Sequence, residues 1–504
     1  MFGWFQEIKI RDLKKTSFER LKELNHQAKN FYNQSLFIIM VKIQFENLGN
    51  IAKGDVEINN LTLFVGPNNT GKTYVAYTLY SLFNKNFQYH LEELNPIIEN
   101  LSKNGFYELD LNTFFERYYQ KMKQALEVAF SKSLYLVFSA NENEFENAQI
   151  QFELNETEIK KDLLKTTYRS NINLGKTDKI VFNAIKEEES FILKLILLDD
   201  TIPKELINDK LKAILNHFIF NRLFSNSFLL PAERTGLNLF YKELNSKRTA
   251  IFHHKLISSQ IQTQPFIKDL IVSRYSQPIA DYIDFLTNSF ELKKFNSDLK
   301  DLAIEIQTNI LNGQYIVETD GIYFIPYKIH SKIDNFDQKI SLHLSSSMVK
   351  TFFSLVFYLE HLAKKGDTLI IDEPELNLHP ENQRKIAIIL VMIANRGIKV
   401  IVSTHSDYFI KEINNLILLK AEFQSKTEIM QNYGYSENML ISDQKVSAYL
   451  FDDNGIKLME MDNKEGIIAS TFDKVINNLN SASDDIYYQK EADLENASSN
   501  HESF

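Results

Sequence analysis

Gly66-Pro67-Asn68-Asn69-Thr70-Gly71-Lys72-Thr73 follows the apolar run Leu61-Thr62-Leu63-Phe64-Val65 and precedes a helical run from Tyr74 to Phe83. A buried strand, a glycine-bearing turn and a helix in that order make a phosphate-binding loop. The glycines let backbone N–H groups turn toward phosphate oxygens, Lys72 reaches the β and γ phosphates, and the Thr73 hydroxyl is placed to ligate Mg²⁺. The helix aims its N-terminus at the anion. The stretch implies binding of a nucleoside triphosphate on an α/β scaffold.

Two further apolar strands end in polar chemistry. Thr368-Leu369-Ile370-Ile371-Asp372-Glu373-Pro374-Glu375 brings a pair of acids to a strand end. Asp372 is the candidate to hold Mg²⁺. Glu373, one residue on, is the candidate general base for a water in line with the γ phosphate. Ile398-Lys399-Val400-Ile401-Val402-Ser403-Thr404 runs into His405-Ser406-Asp407. Ligands of open α/β sheets collect at the carboxyl ends of strands, so Lys72, Glu373 and His405 are expected to converge on one pocket, with His405 sensing the γ phosphate.

A fourth element, Leu344-Ser345-Ser346-Ser347-Met348, opens a run from Val349 to Ala363 with apolar residues at helical spacing. Phosphate loop, serine signature, Asp-Glu-Pro strand and Thr-His-Ser strand, in this order, resemble the heads of ABC-type ATPases. The phrase Asp372-Glu373-Pro374-Glu375-Leu376-Asn377-Leu378-His379-Pro380 resembles the soluble branch that holds the OLD, RecF and structural-maintenance-of-chromosomes proteins, and within it AAA_15/AAA_21-like ATP-binding proteins. The resemblance implies an ABC-type P-loop ATPase head with ATP and Mg²⁺ as cofactors. It also implies a homodimer or higher homo-oligomer in which Ser345, Ser346 and Ser347 act on the partner's nucleotide. Free N–H groups and hydroxyls at a helix start suit that task.

The match departs from the family pattern in three places. Ser346, Ser347 and Met348 stand where such signatures carry glycines and a polar residue. The segment Phe228-Leu229-Leu230-Pro231-Ala232-Glu233-Arg234-Thr235 corresponds to a loop that usually holds a glutamine, and none is present. Arg234 or Glu233 is the candidate replacement, with a phosphate contact and a surface ion pair both open for Arg234. His379 occupies a position usually held by aspartate, and no chemistry is assigned to it.

The chain has 504 residues, 44% of them hydrophobic, with 38 phenylalanines and no cysteine. That is enough for a large core and more than one folding unit, and it excludes disulfides, thiolate nucleophiles and cysteine-ligated zinc. The longest apolar run near the start, Leu36 to Val41, is too short to span a bilayer, and Met1 to Gln34 lacks a signal-peptide pattern. A cytoplasmic protein without a membrane partner is expected. Met40 is a candidate natural start.

The expected organisation is an extension over 1–39, a first part of the head over 40–85 and a mainly helical insertion over 86–225 forming an arm or dimer-contact lobe. A lobe with a helical segment and a hairpin follows over 226–343, then the signature, acid and histidine part of the head over 344–465, and a C-terminal helix and disordered tail over 466–504. Within the insertion, Thr113 to Val128 and Lys204 to Phe224 read as helices, Ser133 to Phe138 and Ile150 to Leu154 as strands. Gly313 to Glu318 and Gly321 to Pro326 read as a hairpin. Disorder is expected after about Asn480.

Formal net charge is −10, so global electrostatics do not draw the chain to nucleic acid. Arg234, Lys242, Lys247, Arg248, His253, His254 and Lys255, interleaved with Phe240, Tyr241 and Phe252, form the most basic neighbourhood, which leaves DNA open as a partner. Asp452, Asp453 and Glu460 read as turn and surface acids rather than a nuclease centre. Resemblance to the OLD-related group, which includes ATPases of the PARIS and Septu defence systems, implies an ATPase that controls an effector, a nuclease or toxin acting in trans, in bacterial anti-phage defence. A RecF/SMC-like DNA-binding repair ATPase is the alternative. A subunit feeding membrane transport is a third, weaker reading.

Overall fold

The computed structural model describes residues 41–84, 91–173, 180–199, 202–220, 225–244, 275–327, 339–468 and 477–491. The extension over 1–39 and the basic residues Lys247, Arg248, His253, His254 and Lys255 lie outside them. Strands β1 (Val41–Leu48) and β2 (Ile51–Ile58) form an antiparallel pair, and β3 (Leu61–Val65) leads through the glycine-bearing turn into helix α1 (Lys72–Asn84).

After a helix over Asn95–Asn104 at its start, the insertion continues with β4 (Phe106–Asp110) and α2 (Leu111–Ser131), followed by α3 (Leu134–Phe138) and β5 (Gln149–Glu153). Strands β6 (Tyr168–Asn173), β7 (Ile180–Lys186) and β8 (Ile192–Leu197) precede α4 (Lys204–Phe220). β5 returns to the head and pairs antiparallel with β1, while β4, β8, β7 and β6 make an antiparallel sheet of their own. Helices α2 and α4 stand where sequence periodicity places them, with residues 221–224 of the second expectation outside the described residues. Ser133 to Phe138 does not: its aromatic and branched residues read as a strand but fold as a helix. There Leu134 and Val137, one helical turn apart, are both buried, Phe138 packs on Tyr74 and Tyr77 of α1, and left-handed Ser139 closes the end.

β9 (Ser227–Leu230) re-enters the head and leads into α5, helical over the described residues 234–244. After α6 (Gln277–Thr287) comes a small antiparallel sheet of β10 (Gly313–Val317), β11 (Ile322–Pro326) and β12 (Ile340–Ser341), the first two forming the expected hairpin. α7 (Ser347–Phe357), β13 (Thr368–Asp372), α8 (Pro380–Asn395), β14 (Lys399–Thr404), α9 (Asp407–Leu418), β15 (Val446–Asp452) and β16 (Gly455–Leu458) complete the head. Residues 477–491 form α10 with every side chain exposed, so the helix extends past Asn480, where disorder was expected.

The central sheet has six strands in the order β16-β15-β3-β14-β13-β9, all parallel except β16. β3 and β13 are buried at every position, which explains their largely apolar character. Alternation then divides the strands between two cores. Phe64, Ile370 and Ile401 pack with α1 and the insertion, whereas Leu63, Val65, Ile371 and Val402 pack with α7, α8 and α9. Because both faces are covered, only the strand ends are left to meet a ligand. Among the described residues no helix is long and apolar enough to cross a membrane.

Candidate functional site

The loop after β3 takes its shape from positions that a side chain would spoil. Gly66 has φ +144, and a Cβ there would collide with the backbone carbonyl oxygen of Phe451 on β15. Gly71 has φ +95 and lies against Ile51. Between them Asn69 is left-handed at φ 65, and its carbonyl accepts 3.0 Å from Asn50 Nδ2 in the β1–β2 turn. Thr70 Oγ1 donates to the carbonyl of Pro67 at 2.9 Å. Lys72 is buried and folds back over the loop, with Nζ 2.9 Å from Gly66 O and 2.6 Å from Pro67 O. Burial pulls its pKa below the usual lysine range.

The neighbouring strands bring the acids to the loop. Asp372, at the end of β13, accepts from Thr73 Oγ1 at 2.9 Å and from Ser403 Oγ, the residue facing it across β14. Its carboxyl is buried, which pushes its pKa up against the hydrogen bonds that pull it down. Glu373 leaves the strand in a left-handed conformation, φ 47, with its N–H donating 3.0 Å to the carbonyl of Ser403. Burial raises its pKa too, making it a stronger base than an exposed glutamate. His405 Nδ1 stands 3.5 Å from Glu373 Oε1 and 4.0 Å from Glu375 Oε1. The loop, Lys72, Thr73, Asp372, Glu373 and His405 therefore gather at the ends of three adjacent strands.

Three contributors were missed or misread in the sequence. Ser403 fixes one oxygen of Asp372, a role visible only once β13 and β14 are aligned. Glu375 is buried, and its Oε1 accepts from Thr404 Oγ1 at 2.7 Å and from the His405 N–H at 3.0 Å, which pins the histidine's backbone. Arg234 is neither a phosphate ligand nor half of a surface ion pair. It is buried at 2% exposure, and its guanidinium donates to the carbonyls of Pro231, Asp372, Glu373 and Pro374 at 2.8–3.1 Å. It thus leaves the basic neighbourhood in which the sequence placed it.

The serines stand apart from this cluster. Ser346 caps α7, its hydroxyl accepting from Val349 N at 3.3 Å, and Ser345 Oγ donates to Ser341 O. Among the described residues none of Ser345, Ser346 and Ser347 hydrogen bonds to the loop or the acids; Ser346 and Ser347 face solvent beside Leu344, which is 72% exposed. Met348, the departure from the signature pattern, receives Asn382 Nδ2 on its sulfur at 3.3 Å. His379 caps α8 by accepting from Glu381 N. Asp452 accepts from Asn454 N in the β15–β16 turn and pairs with Lys457, as a turn acid does.

The residues fit a nucleotide with its metal. Thr73 and Asp372 present a hydroxyl and a carboxylate to one point, the donor chemistry that Mg²⁺ takes. His405 Nδ1 and Glu375 Oε2 are buried polar atoms with no hydrogen-bond partner, beside the glutamate.

A parallel sheet that gathers these groups at its strand ends defines an ABC-type P-loop ATPase head. A family model described as AAA ATPase domain, AAA_15, matches residues 38–410, and the chain belongs to that family. Nucleotide binding is the property that this membership carries. The search of curated proteins finds no match. Among solved structures, the chain is similar to an Smc head bound to the C-winged helix domain of ScpA, at 11% identity and TM-score 0.32, covering 84% of this chain and 97% of that one. It is also similar to a Pyrococcus furiosus Smc head bound to the C-terminal domain of ScpA, at 11% identity and TM-score 0.31, covering 88% and 99%. An SMC head from Thermotoga maritima matches at 9% identity and TM-score 0.29, covering 84% and 100%. Similarity at this level says nothing about activity or partners.

Proposed function

We propose that the chain hydrolyses ATP, closes as a homodimer on the bound nucleotide and uses that closure to control a separate effector. The observation that supports the reading is the Thr73–Asp372 hydrogen bond with Glu373 and His405 alongside, which brings the loop and the two acids within reach of one another. Lys72 and the loop N–H groups hold the phosphates. Thr73 and Asp372 hold Mg²⁺, which would draw charge off the phosphate oxygens. Glu373 takes the proton of a water placed in line with the γ phosphate, and His405 fixes the glutamate's orientation and contacts the same phosphate. The exposed serines of one protomer meet the nucleotide of the other. The γ phosphate then favours the closed dimer through contacts that hydrolysis removes.

The wider role, control of a nuclease or toxin in cytoplasmic anti-phage defence, rests on the family resemblance of the Asp-Glu-Pro-Glu-Leu-Asn-Leu-His-Pro phrase. Glu373→Gln tests both levels. This variant is expected to bind ATP, turn it over at least about a hundredfold more slowly than wild type and remain closed. Wild-type turnover would remove Glu373 as the base. Purified from native cells with Mg²⁺-ATP, the closed variant should carry a stoichiometric effector identifiable by mass spectrometry. Recovery of DNA with no protein partner would move the assignment to a repair clamp.

A further inference from the structure

Among the described residues Arg234 is one of the largest fully buried side chains, and no carboxylate lies within ion-pair distance of it. Its hydrogen bonds go to carbonyl oxygens, while the nearby carboxylates of Glu375, Asp372 and Glu373 favour its charge without touching it. Nη1 donates to Asp372 O at 2.8 Å and Pro231 O at 3.0 Å; Nη2 donates to Glu373 O at 2.8 Å and Pro374 O at 3.1 Å. Burying a cation that no carboxylate contacts directly is costly, as the lowering of its pKa by burial reflects, and an apolar side chain of similar volume would fill the space without that cost. The guanidinium offers instead a rigid fork of donors that can hold consecutive carbonyls in one plane.

What the fork holds is the turn of the proposed base. Glu373 is left-handed, a conformation that a residue with a Cβ does not keep unless its surroundings impose it. Its N–H is taken by Ser403 O and its carbonyl by Arg234. The carboxylate direction toward His405 therefore depends on these two backbone anchors.

Arg234 also begins α5, and the next turn of that helix grips the signature helix α7. Thr235 Oγ1 lies 3.2 Å from Thr351 Oγ1, and Asn238 Nδ2 donates to Lys350 O at 2.7 Å. Tyr282 OH donates to Asn238 Oδ1 at 2.9 Å and also meets Ser354 of α7. One short helix therefore joins the turn of Glu373 to the helix that carries Ser347.

We propose that Arg234 is a positioning residue for hydrolysis: it holds Glu373 in its working direction and makes that direction depend on where the signature helix sits. The inference rests on the ATPase reading above. Seating of α7 against a partner is passed through α5 to the base, so ATP binding and ATP cleavage are separable at this joint. Lysine at position 234 keeps the charge but offers a single ammonium to four carbonyls. Glutamine keeps one amide and removes the buried charge.

The test measures ATP affinity, kcat and thermal stability for wild type, Glu373→Gln, Arg234→Lys, Arg234→Gln and Thr235→Val. Misplacement of a reacting group by about 1 Å costs on the order of a hundredfold in rate. Folded Arg234→Lys or Arg234→Gln protein is expected to lose about that much kcat while its ATP affinity stays within about threefold of wild type. Thr235→Val, which disturbs no buried charge, should lower kcat by about threefold at unchanged affinity. A folded Arg234 variant with wild-type kcat, or one whose loss lies in ATP affinity, would overturn the proposal. Should both Arg234 variants fail to fold, Thr235→Val decides, and wild-type kcat there overturns it. No ATP turnover by wild type and Glu373→Gln alike would sink the functional reading, and this inference with it.

Discussion

Asp367 immediately precedes β13, the strand that ends in Asp372, and burial pushes its pKa from an ordinary 3.8 up to about 7. Its carboxyl accepts from Lys364 N at 2.9 Å and from the hydroxyl of Tyr358 at 3.4 Å, just beyond α7. The acid thus ties the far end of α7 to the strand that leads to Glu373. Because the folded-state value lies above the unfolded one, the native protein holds an extra proton between about pH 4 and about pH 7. Stability from this group is fully present below that window and is lost as pH rises through it, at about 1.4 kcal/mol per pH unit. Across the window the loss approaches about 4 kcal/mol, a large fraction of the stability of an ordinary domain. Asp367→Asn keeps an oxygen for Lys364 N and cannot ionise. Urea unfolding of both proteins at about pH 4.5, 6 and 8 reads the effect directly. The stability difference, variant minus wild type, should rise steadily with pH, while all other titrating groups cancel. A difference that stays flat from pH 4.5 to 8 would refute the assignment of this pH dependence to Asp367.

Thr73→Val keeps the shape of the first turn of α1 but removes the hydroxyl bonded to Asp372. It should weaken Mg²⁺-ATP binding by about tenfold or more, with a smaller loss for ATP in excess chelator; calorimetry that finds equal losses would remove Thr73 as a metal ligand. Ser346→Arg places a bulky cation on the exposed start of α7 without touching the protomer's own loop. In the Glu373→Gln background it should abolish ATP-dependent dimerisation and leave ATP binding by the protomer intact. Persistence of the dimer in sedimentation would place the interface elsewhere.

The parts of the head that could be read in advance are those whose local sequence and tertiary role coincide. β3, β13 and β14 are apolar through their middles because both faces of a parallel strand are buried there, and each ends at the polar residues of the candidate site. The loop is legible for a similar reason: Gly66 sits where its backbone meets that of Phe451, a constraint that leaves no room for any side chain. Ser133 to Phe138 went wrong because a short aromatic run has no period of its own. Contact with Tyr74 and Tyr77, far away in sequence, decided for helix.

Arg234 marks the limit of such reading. An arginine beside a glutamate on a loop near phosphate chemistry points, by local chemistry, to an anion or a surface ion pair. Its carbonyl partners at and just past the end of β13 lie about 140 residues downstream, and backbone carbonyls leave no trace in a sequence. The buried cation is nevertheless a more informative residue than the loop. The phosphate loop states what is bound, whereas a charge committed to the backbone of Glu373 and mounted on the helix that grips α7 bears on when the bound nucleotide is cut. On the proposed reading, a closed state that must persist until a signal arrives needs that second property to be adjustable apart from the first, and Arg234 joins the two backbones through which it would be adjusted.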